Sequence, residues 1–89
     1  MMAGLFTPGK VVATPGAYEI PQDVLFAALA RHLNGDWGEL SKEDKELNDR
    51  AVLDGDRILS SYHAPDGTKF WIITEADRSV TTFLLPDEY

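Results

Sequence analysis

Residues 51–63 read AVLDGDRILSSYH, and the spacing of their apolar side chains changes near residue 56. Before Gly55 the spacing is that of a helix. From Arg57 onward apolar and small polar residues alternate with a period of two, as in a strand that points successive side chains to opposite faces. This change predicts helices before residue 56 and a sheet after it.

The sequence after residue 63 predicts two further strands. Ala64-Pro65-Asp66-Gly67 has the residues of a tight turn, so the strand 69–74 should return antiparallel to the strand before it. A second turn at 76–79 leads into a last strand, 80–85, which Pro86 ends. A three-strand meander is expected.

The sequence before residue 51 predicts a short strand and two helices. The β-branched segment 10–14 lies between two Pro-Gly pairs. One helix should run from Pro21 to Gly35, with an apolar stripe of Leu25, Leu29 and Leu33 that Val24 and Ala28 widen. The other should run from Ser41 to Gly55, with Leu47, Ala51 and either Val52 or Leu53 facing the core.

The expected fold is α+β, with two helices packed on a short antiparallel sheet in the order β-α-α-β-β-β. We expect one domain over residues 1–89, with 1–8 flexible. Both faces of the last two strands carry large apolar groups, grouped as Phe70, Ile72, Val80 and Leu84 against Trp71, Ile73, Phe83 and Leu85. One helical layer covers one face only, which predicts that the second face meets a partner, such as the other copy in a homodimer.

Composition excludes several classes of function. The net charge of −7 makes direct nucleic-acid binding unlikely, because few Lys or Arg residues are present to release counterions. The absence of Cys excludes disulfides, thiolate nucleophiles and Cys-based zinc sites. Without an apolar run long enough to span a bilayer, the sequence predicts a cytoplasmic protein that binds no membrane.

Few residues are spaced in a pattern typical of a catalytic site or a metal site. His32 and Asp36 are four apart across a helix end, a metal-ligand spacing, yet no third ligand completes a shell. Ser61 and His63 share a strand face but lack a nucleophile elbow. We therefore predict no catalytic residue, no metal and no cofactor, and interpret Asp36 with Arg31 or His32 as surface or helix-terminus interactions.

Three further features are candidates for an interaction surface. In the turn after the strand 69–74, Glu75, Asp77 and Arg78 could bind a polar ligand or a peptide, or could only close the turn. Trp37 and Trp71 are typical of core or interface anchors. Residues 36–56 hold eight Asp and Glu against three Lys and Arg, a face that is either solvated or imitates a phosphate track.

The blocks Arg31-His32, Gly35-Asp36-Trp37-Gly38, Arg57-Ile58-Leu59-Ser60, Trp71 to Ser79 and Leu84-Leu85-Pro86 resemble a family of small bacterial proteins from plasmids and integrated mobile elements. The resemblance covers residues 10–89 and is most specific over 71–79. It implies a bacterial cytoplasm and an accessory role, such as modulating a host defence or a toxin, and it brings no catalytic residue or ligand.

The leading hypothesis is a non-enzymatic accessory protein that acts through a protein partner. Its contact surface is expected on the sheet face or at the turn 75–79, with the following candidates: Arg31, His32, Asp36, Trp37, Trp71, Glu75, Asp77 and Arg78. A second hypothesis is an acidic nucleic-acid mimic that inhibits a DNA-binding or defence protein. A third is a small-molecule binder or enzyme with a polar site around residues 74–79, which would use His32, Asp36, Glu75, Asp77 and Arg78.

Overall fold

The computed structural model describes residues 4–89, which form a four-stranded sheet with helices. The elements are β1 (Lys10–Ala13), α1 (Pro15–Tyr18), α2 (Gln22–Leu33), α3 (Lys42–Asp54), β2 (Ile58–His63), β3 (Lys69–Thr74), β4 (Val80–Leu84) and a closing 3₁₀ turn, Pro86–Glu88. The α+β class and the order β-α-α-β-β-β are confirmed. The single helical turn α1 was not predicted, since Pro15-Gly16 was interpreted only as a turn.

The sheet is mixed, whereas the sequence predicted an antiparallel one. Its strand order is β1-β4-β3-β2; β2, β3 and β4 form the expected antiparallel meander, and β1 runs parallel to β4. A meander leaves two edges free, and the β2 edge is occupied by α3 and by the segment that precedes it. β1 therefore joins the β4 edge.

The helix boundaries follow the signals in the sequence. α2 begins directly after Pro21 and is followed by Gly35 at φ +84°. The Ser41 hydroxyl accepts from the Asp44 backbone N–H at 3.1 Å, and Gly55 ends α3 at φ +75°. A residue with a side chain would be strained at these two glycine positions, which explains why both helices stop there.

All three helices contribute to packing on one face of the sheet. α1 and α2 pack Ala17, Leu25 and Ala28 against Tyr62 and Phe70, and Ala51 of α3 packs with Ile58 and Trp37. The register pairs Ile72 with Phe83 and Trp71 with Leu84. The predicted grouping of Val80 and Leu84 with Phe70 and Ile72 is therefore wrong, because it was shifted by one residue in β4.

The predicted buried face of α3 is wrong in part. Ala51 is buried as expected, but Leu47 is 65% exposed and Leu53 is 85% exposed. Asn48 takes the buried position beside Ala51, because its amide donates to the Leu59 carbonyl oxygen at 2.6 Å and accepts from the Leu59 N–H at 3.4 Å. The helix is thus rotated to present an amide, not a leucine, to the edge of the sheet.

The predicted flexible start falls partly outside the described residues, since 1–3 are not among them. Within 4–8, the Leu5 N–H donates to the Leu33 carbonyl oxygen at 2.7 Å, and Phe6 stacks on Trp37 with ring centroids 6.3 Å apart. No helix in residues 4–89 is long and apolar enough to cross a membrane.

Candidate functional site

His32 lies at the centre of a buried polar chain between α2 and the sheet. It is 0% exposed; its Nδ1 hydrogen-bonds the Ser60 hydroxyl, and its Nε2 lies 2.9 Å from the Thr74 Oγ1. Thr74 Oγ1 lies 2.7 Å from Thr81 Oγ1, which donates to the Pro8 carbonyl oxygen at 2.7 Å. The chain joins α2, three strands and the segment before β1.

The hydroxyl protons assign the tautomer of His32. Thr81 gives its single proton to Pro8, so Thr74 must donate to Thr81 and must accept from His32 Nε2–H. Nδ1 is then the acceptor for Ser60. Burial, assisted by the positive charge of Arg78, lowers the pKa of His32 to about 3, so this histidine is neutral and fully hydrogen-bonded at physiological pH.

Arg78 is the only non-glycine residue with positive φ in residues 4–89, at +60°. Its guanidinium donates to three backbone carbonyl oxygens: Ala51 at 3.1 Å, Asp56 at 2.6 Å and Glu75 at 3.2 Å. It also lies over the Phe6 ring, 5.4 Å from the centroid. The side chain thus fastens the β3–β4 turn to the C-terminal end of α3.

The rest of the polar turn serves the backbone. An Asp77 carboxylate oxygen accepts from the Ser79 N–H at 3.0 Å, and hydrogen bonds from Ser79 hold the pKa of Asp77 below its ordinary value. The Glu75 N–H donates to the Val80 carbonyl oxygen at 3.0 Å, and the Glu75 side chain is half-buried. These contacts favour turn closure over ligand binding at Asp77 and Arg78.

Arg31 and Asp36 form a surface pair at the end of α2. The guanidinium makes two hydrogen bonds to the carboxylate, at 2.7 and 3.2 Å, and these bonds hold the pKa of Asp36 below its ordinary value. The Arg31 guanidinium also covers the Tyr62 ring at 4.8 Å, and the Tyr62 hydroxyl donates to the Asp36 carbonyl oxygen at 2.7 Å. The pair therefore orients the turn that leads to Trp37.

Trp37 and Trp71 have different environments. Trp37 is 2% exposed; its indole N–H donates to an Asp49 carboxylate oxygen at 2.9 Å, so it anchors the connection to α3. Trp71 is partly exposed on the opposite face of the sheet, where its ring meets Tyr89 edge to face at 5.8 Å. Of the eight candidate residues, His32 and Trp37 are thus buried, whereas Trp71 is partly exposed.

The sheet face opposite the helices, here called the open face, includes Leu59, Ser61, Trp71, Ile73, Thr82 and Leu84 and ends at His63 and Lys69. Its buried members Ile73 and Leu84 belong to neither cluster in which the helices pack. Tyr89, which is 69% exposed, contacts this face through Trp71. The exposed part of this face is therefore Tyr89 with the partly exposed Leu59, Trp71 and Thr82, whereas Ile73 and Leu84 are buried.

A groove of about 450 Å³, here called the α3 groove, adjoins the open face at Leu59. Leu40 and Leu47 give it apolar walls, and Asp44, Asp56 and Arg57 stand at its rim. The Arg57 guanidinium lies 5.2 Å from the centre of the Tyr89 ring, so contacts run without a break from the groove to Tyr89 and Trp71. The groove and the open face form one surface.

The acidic side chains of α3 are exposed and lie outside ion pairs. In the described part of the chain, the two ion pairs are Arg31 with Asp36 and His63 with Glu39, and neither is on α3. Glu43, Glu46 and Asp54 are exposed, beside the groove rim on the same helix. A partner at this surface meets negative charge that nothing on α3 neutralises by direct contact.

Within residues 4–89, the side chains of the third hypothesis do not share one concavity. No group of three or more His, Asp or Glu residues within 4–89 could hold a metal ion. None of the four concavities found in these residues is lined by His32, Asp36, Glu75, Asp77 or Arg78. Each residue of the enzyme hypothesis thus lies outside these concavities.

Comparison with known proteins gives no relative: no family model, no curated protein and no solved structure matches this chain. The resemblance to plasmid and mobile-element proteins stays a prediction.

The burial of His32 has a signal in the sequence, whereas the contact of Arg57 with Tyr89 has none. Leu25, Ala28 and His32 follow one another at i+3 and i+4, which places His32 on the buried stripe of α2 and not at the surface. Arg57 and Tyr89 were not considered as neighbours, because contacts between residues 32 positions apart have no local signature.

Proposed function

We propose that this chain is a non-enzymatic interaction protein that binds a protein partner through the α3 groove and the open face. The observation that supports this most directly is the groove itself, in which leucines form the walls and acidic residues stand at the rim and along the adjoining helix. Exposed apolar patches bordered by polar residues are typical of protein interfaces. The turn 75–79 is a weaker candidate, because the charged groups of Asp77 and Arg78 already bond backbone atoms.

The partner segment that suits this surface has an apolar stripe flanked by basic residues. Leucines in the groove would contact the apolar stripe, and Asp44, Asp56 and the acids of α3 would attract Lys or Arg. An amphipathic basic helix has this chemistry. The bacterial accessory role implied by the family resemblance is part of this proposal, and it rests on the sequence blocks alone.

The test uses a synthetic amphipathic helix of Leu and Lys, with a Leu and Glu peptide of the same pattern as its control. We expect the wild-type chain to bind the Lys peptide and not the Glu peptide in titration calorimetry. Leu47→Asp should weaken binding about tenfold, or about 1.4 kcal/mol, since Leu47 lines the groove. Leu53→Asp adds the same charge on the same helix outside the groove and should leave the affinity unchanged.

The result that contradicts the proposal is equal weakening by the two variants, which would reduce the interaction to general charge attraction. Absence of binding to either peptide would contradict it as well.

A second candidate function, the acidic mimic, is favoured by the unpaired carboxylates of α3. It predicts that the chain displaces duplex DNA from a purified basic histone-like protein, and that added salt suppresses the displacement. Charge reversal is best made at Glu43, Glu46 and Asp54. Asp49 is kept, because it accepts the Trp37 indole hydrogen bond and its loss would disturb the core. Undiminished displacement by the triple variant would remove this candidate.

A further inference from the structure

The two edges of the sheet differ in how their backbone groups are satisfied. At the β2 edge, Asn48 pairs with Leu59, the Ser61 N–H donates to the Trp37 carbonyl oxygen at 3.2 Å, and the Glu39 N–H donates to the Ser61 carbonyl oxygen at 2.7 Å. That edge is thus covered at Leu59 and Ser61. Within residues 4–89 the β1 edge has no such cover.

The register of β1 shows which of its groups face outward. The Lys10 N–H donates to the Ser79 carbonyl oxygen and the Thr14 N–H to the Phe83 carbonyl oxygen, both at 3.0 Å, in a strand parallel to β4. Because backbone groups alternate along a strand, Val11 and Ala13 direct their N–H and C=O groups away from the sheet. Such an edge is a template for another strand.

Exposed apolar side chains lie beside this edge on the helical side. Tyr18 is 73% exposed, Phe26 is 55% exposed and Val11 is 38% exposed, and all three line one shallow concavity of about 190 Å³. Isolated exposed apolar residues need no explanation, but three around an open strand edge form a patch that water solvates poorly.

From this geometry we propose that the chain forms a symmetric homodimer by antiparallel pairing of β1 with β1 of a second copy. A two-fold axis at Val12 sets Val11 opposite Ala13 of the other copy, and this is the register that uses all four outward-facing groups of each strand. The two helical layers then lie on the same side, so that Tyr18 and Phe26 of the two copies approach one another. This proposal uses a surface separate from the α3 groove.

Charge at the ends of β1 fits the same register. Lys10 lies opposite Thr14 of the second copy, and the Thr14 hydroxyl donates to the Glu88 carboxylate. Each Lys10 therefore comes near a carboxylate of the other copy, at both ends of the paired strands. Opposite charges at facing positions favour one register over its neighbours.

Crosslinking tests the register directly, because the chain contains no cysteine. At the axis, Val12 faces itself in a non-hydrogen-bonded pair, where Cα atoms are about 4.5 Å apart, within the range that a disulfide spans. We expect Val12→Cys to form a covalent dimer on mild oxidation. Leu53→Cys, on the exposed side of α3, is the control and should stay monomeric on a non-reducing gel.

Sedimentation equilibrium of the full chain tests the dimer without a crosslink. The wild-type protein should show a monomer–dimer equilibrium, Val11→Lys should weaken it at least tenfold, and Leu53→Lys should leave it unchanged. A wild-type chain that stays monomeric over the whole concentration range would overturn the proposal. So would a dimer that persists undiminished in Val11→Lys, or a Val12→Cys that crosslinks no faster than Leu53→Cys. If the circular dichroism spectrum of Val11→Lys shows that this variant is unfolded, the comparison of crosslinking between Val12→Cys and Leu53→Cys decides whether the proposal holds.

Discussion

His32 connects the stability of this protein to pH. Its ordinary pKa of 6.5 is lowered to about 3 in the folded chain, so below pH 6.5 the unfolded chain takes up a proton that the folded chain does not. The free energy of unfolding should therefore fall as the pH falls from 6.5 toward 3, by about 1.4 kcal/mol per unit once His32 is fully protonated in the unfolded state. Most carboxylates remain ionised above pH 5. The loss of stability between pH 6.5 and pH 5 can therefore be assigned to His32 and not to protonation of carboxylates.

Urea unfolding at pH 7 and at pH 5 measures this slope. His32→Gln should remove it, whereas His63→Gln, which changes the only other histidine, should retain it. The control is well matched because His63 is exposed and paired with Glu39 at the surface. A slope that survives in His32→Gln would show that this histidine is not buried as a neutral group.

Sequence patterns predicted the residues of α2 better than those of α3. In α2 the apolar spacing identified Leu25 and Ala28 as buried. In α3 the prediction that leucines face the core was wrong, because Leu47 and Leu53 are exposed and Asn48 is buried. Apolar periodicity identifies a helix that packs on side chains, but it does not identify one whose buried face hydrogen-bonds a strand edge.

At the scale of elements, Asn48 acts as a substitute for a neighbouring strand. Its side-chain amide makes with Leu59 the two hydrogen bonds that a fifth strand would make. Asn48→Ala should lower the free energy of unfolding by about 1–2 kcal/mol, because it leaves the Leu59 groups without protein partners. Hydrogen exchange at the Leu59 amide should become faster at the same time.

Asn34→Ala is the matched control, since Asn34 also donates to a backbone carbonyl oxygen, that of Ala30, but at an exposed helix end. It should cost less stability and leave exchange at Leu59 unchanged. Equal exchange at Leu59 in both variants would mean that α3 does not protect the β2 edge.

The order of elements was predictable for a physical reason, and the sheet topology was not. The change of period near residue 56 reports local backbone geometry, which the sequence encodes within a few residues. The parallel pairing of β1 with β4 joins Lys10 to Val80, and no local pattern specifies which edge a distant strand chooses. The open face could be anticipated from its apolar composition, but the α3 groove could not, because it depends on the rotation of α3.

At the scale of the whole molecule, Glu88 joins the two ends of the described chain. Its carboxylate accepts from the Thr14 hydroxyl and from the backbone N–H groups of Gly16 and Leu85, the latter two at 2.9 Å. These contacts hold the turn after β4 against the start of α1, and with it the parallel pair of β1 and β4. The contacts of Glu88 with Thr14 and Gly16 thus join residues more than seventy positions apart in the sequence, next to the edge strand β1.

Glu88→Gln should lower the thermal midpoint at pH 7, since the amide has one acceptor oxygen in place of two and carries no charge. Asp87→Asn, a neighbouring loss of one charge at an exposed side chain, should leave the midpoint unchanged. The bond from Thr14 holds the pKa of Glu88 below its ordinary 4.5, so its contribution is present above that pH and is lost as the pH falls through the lowered value. The midpoints of wild type and Glu88→Gln should therefore converge in acid, and a difference that persists there would mean that the carboxylate is not what clasps the chain ends.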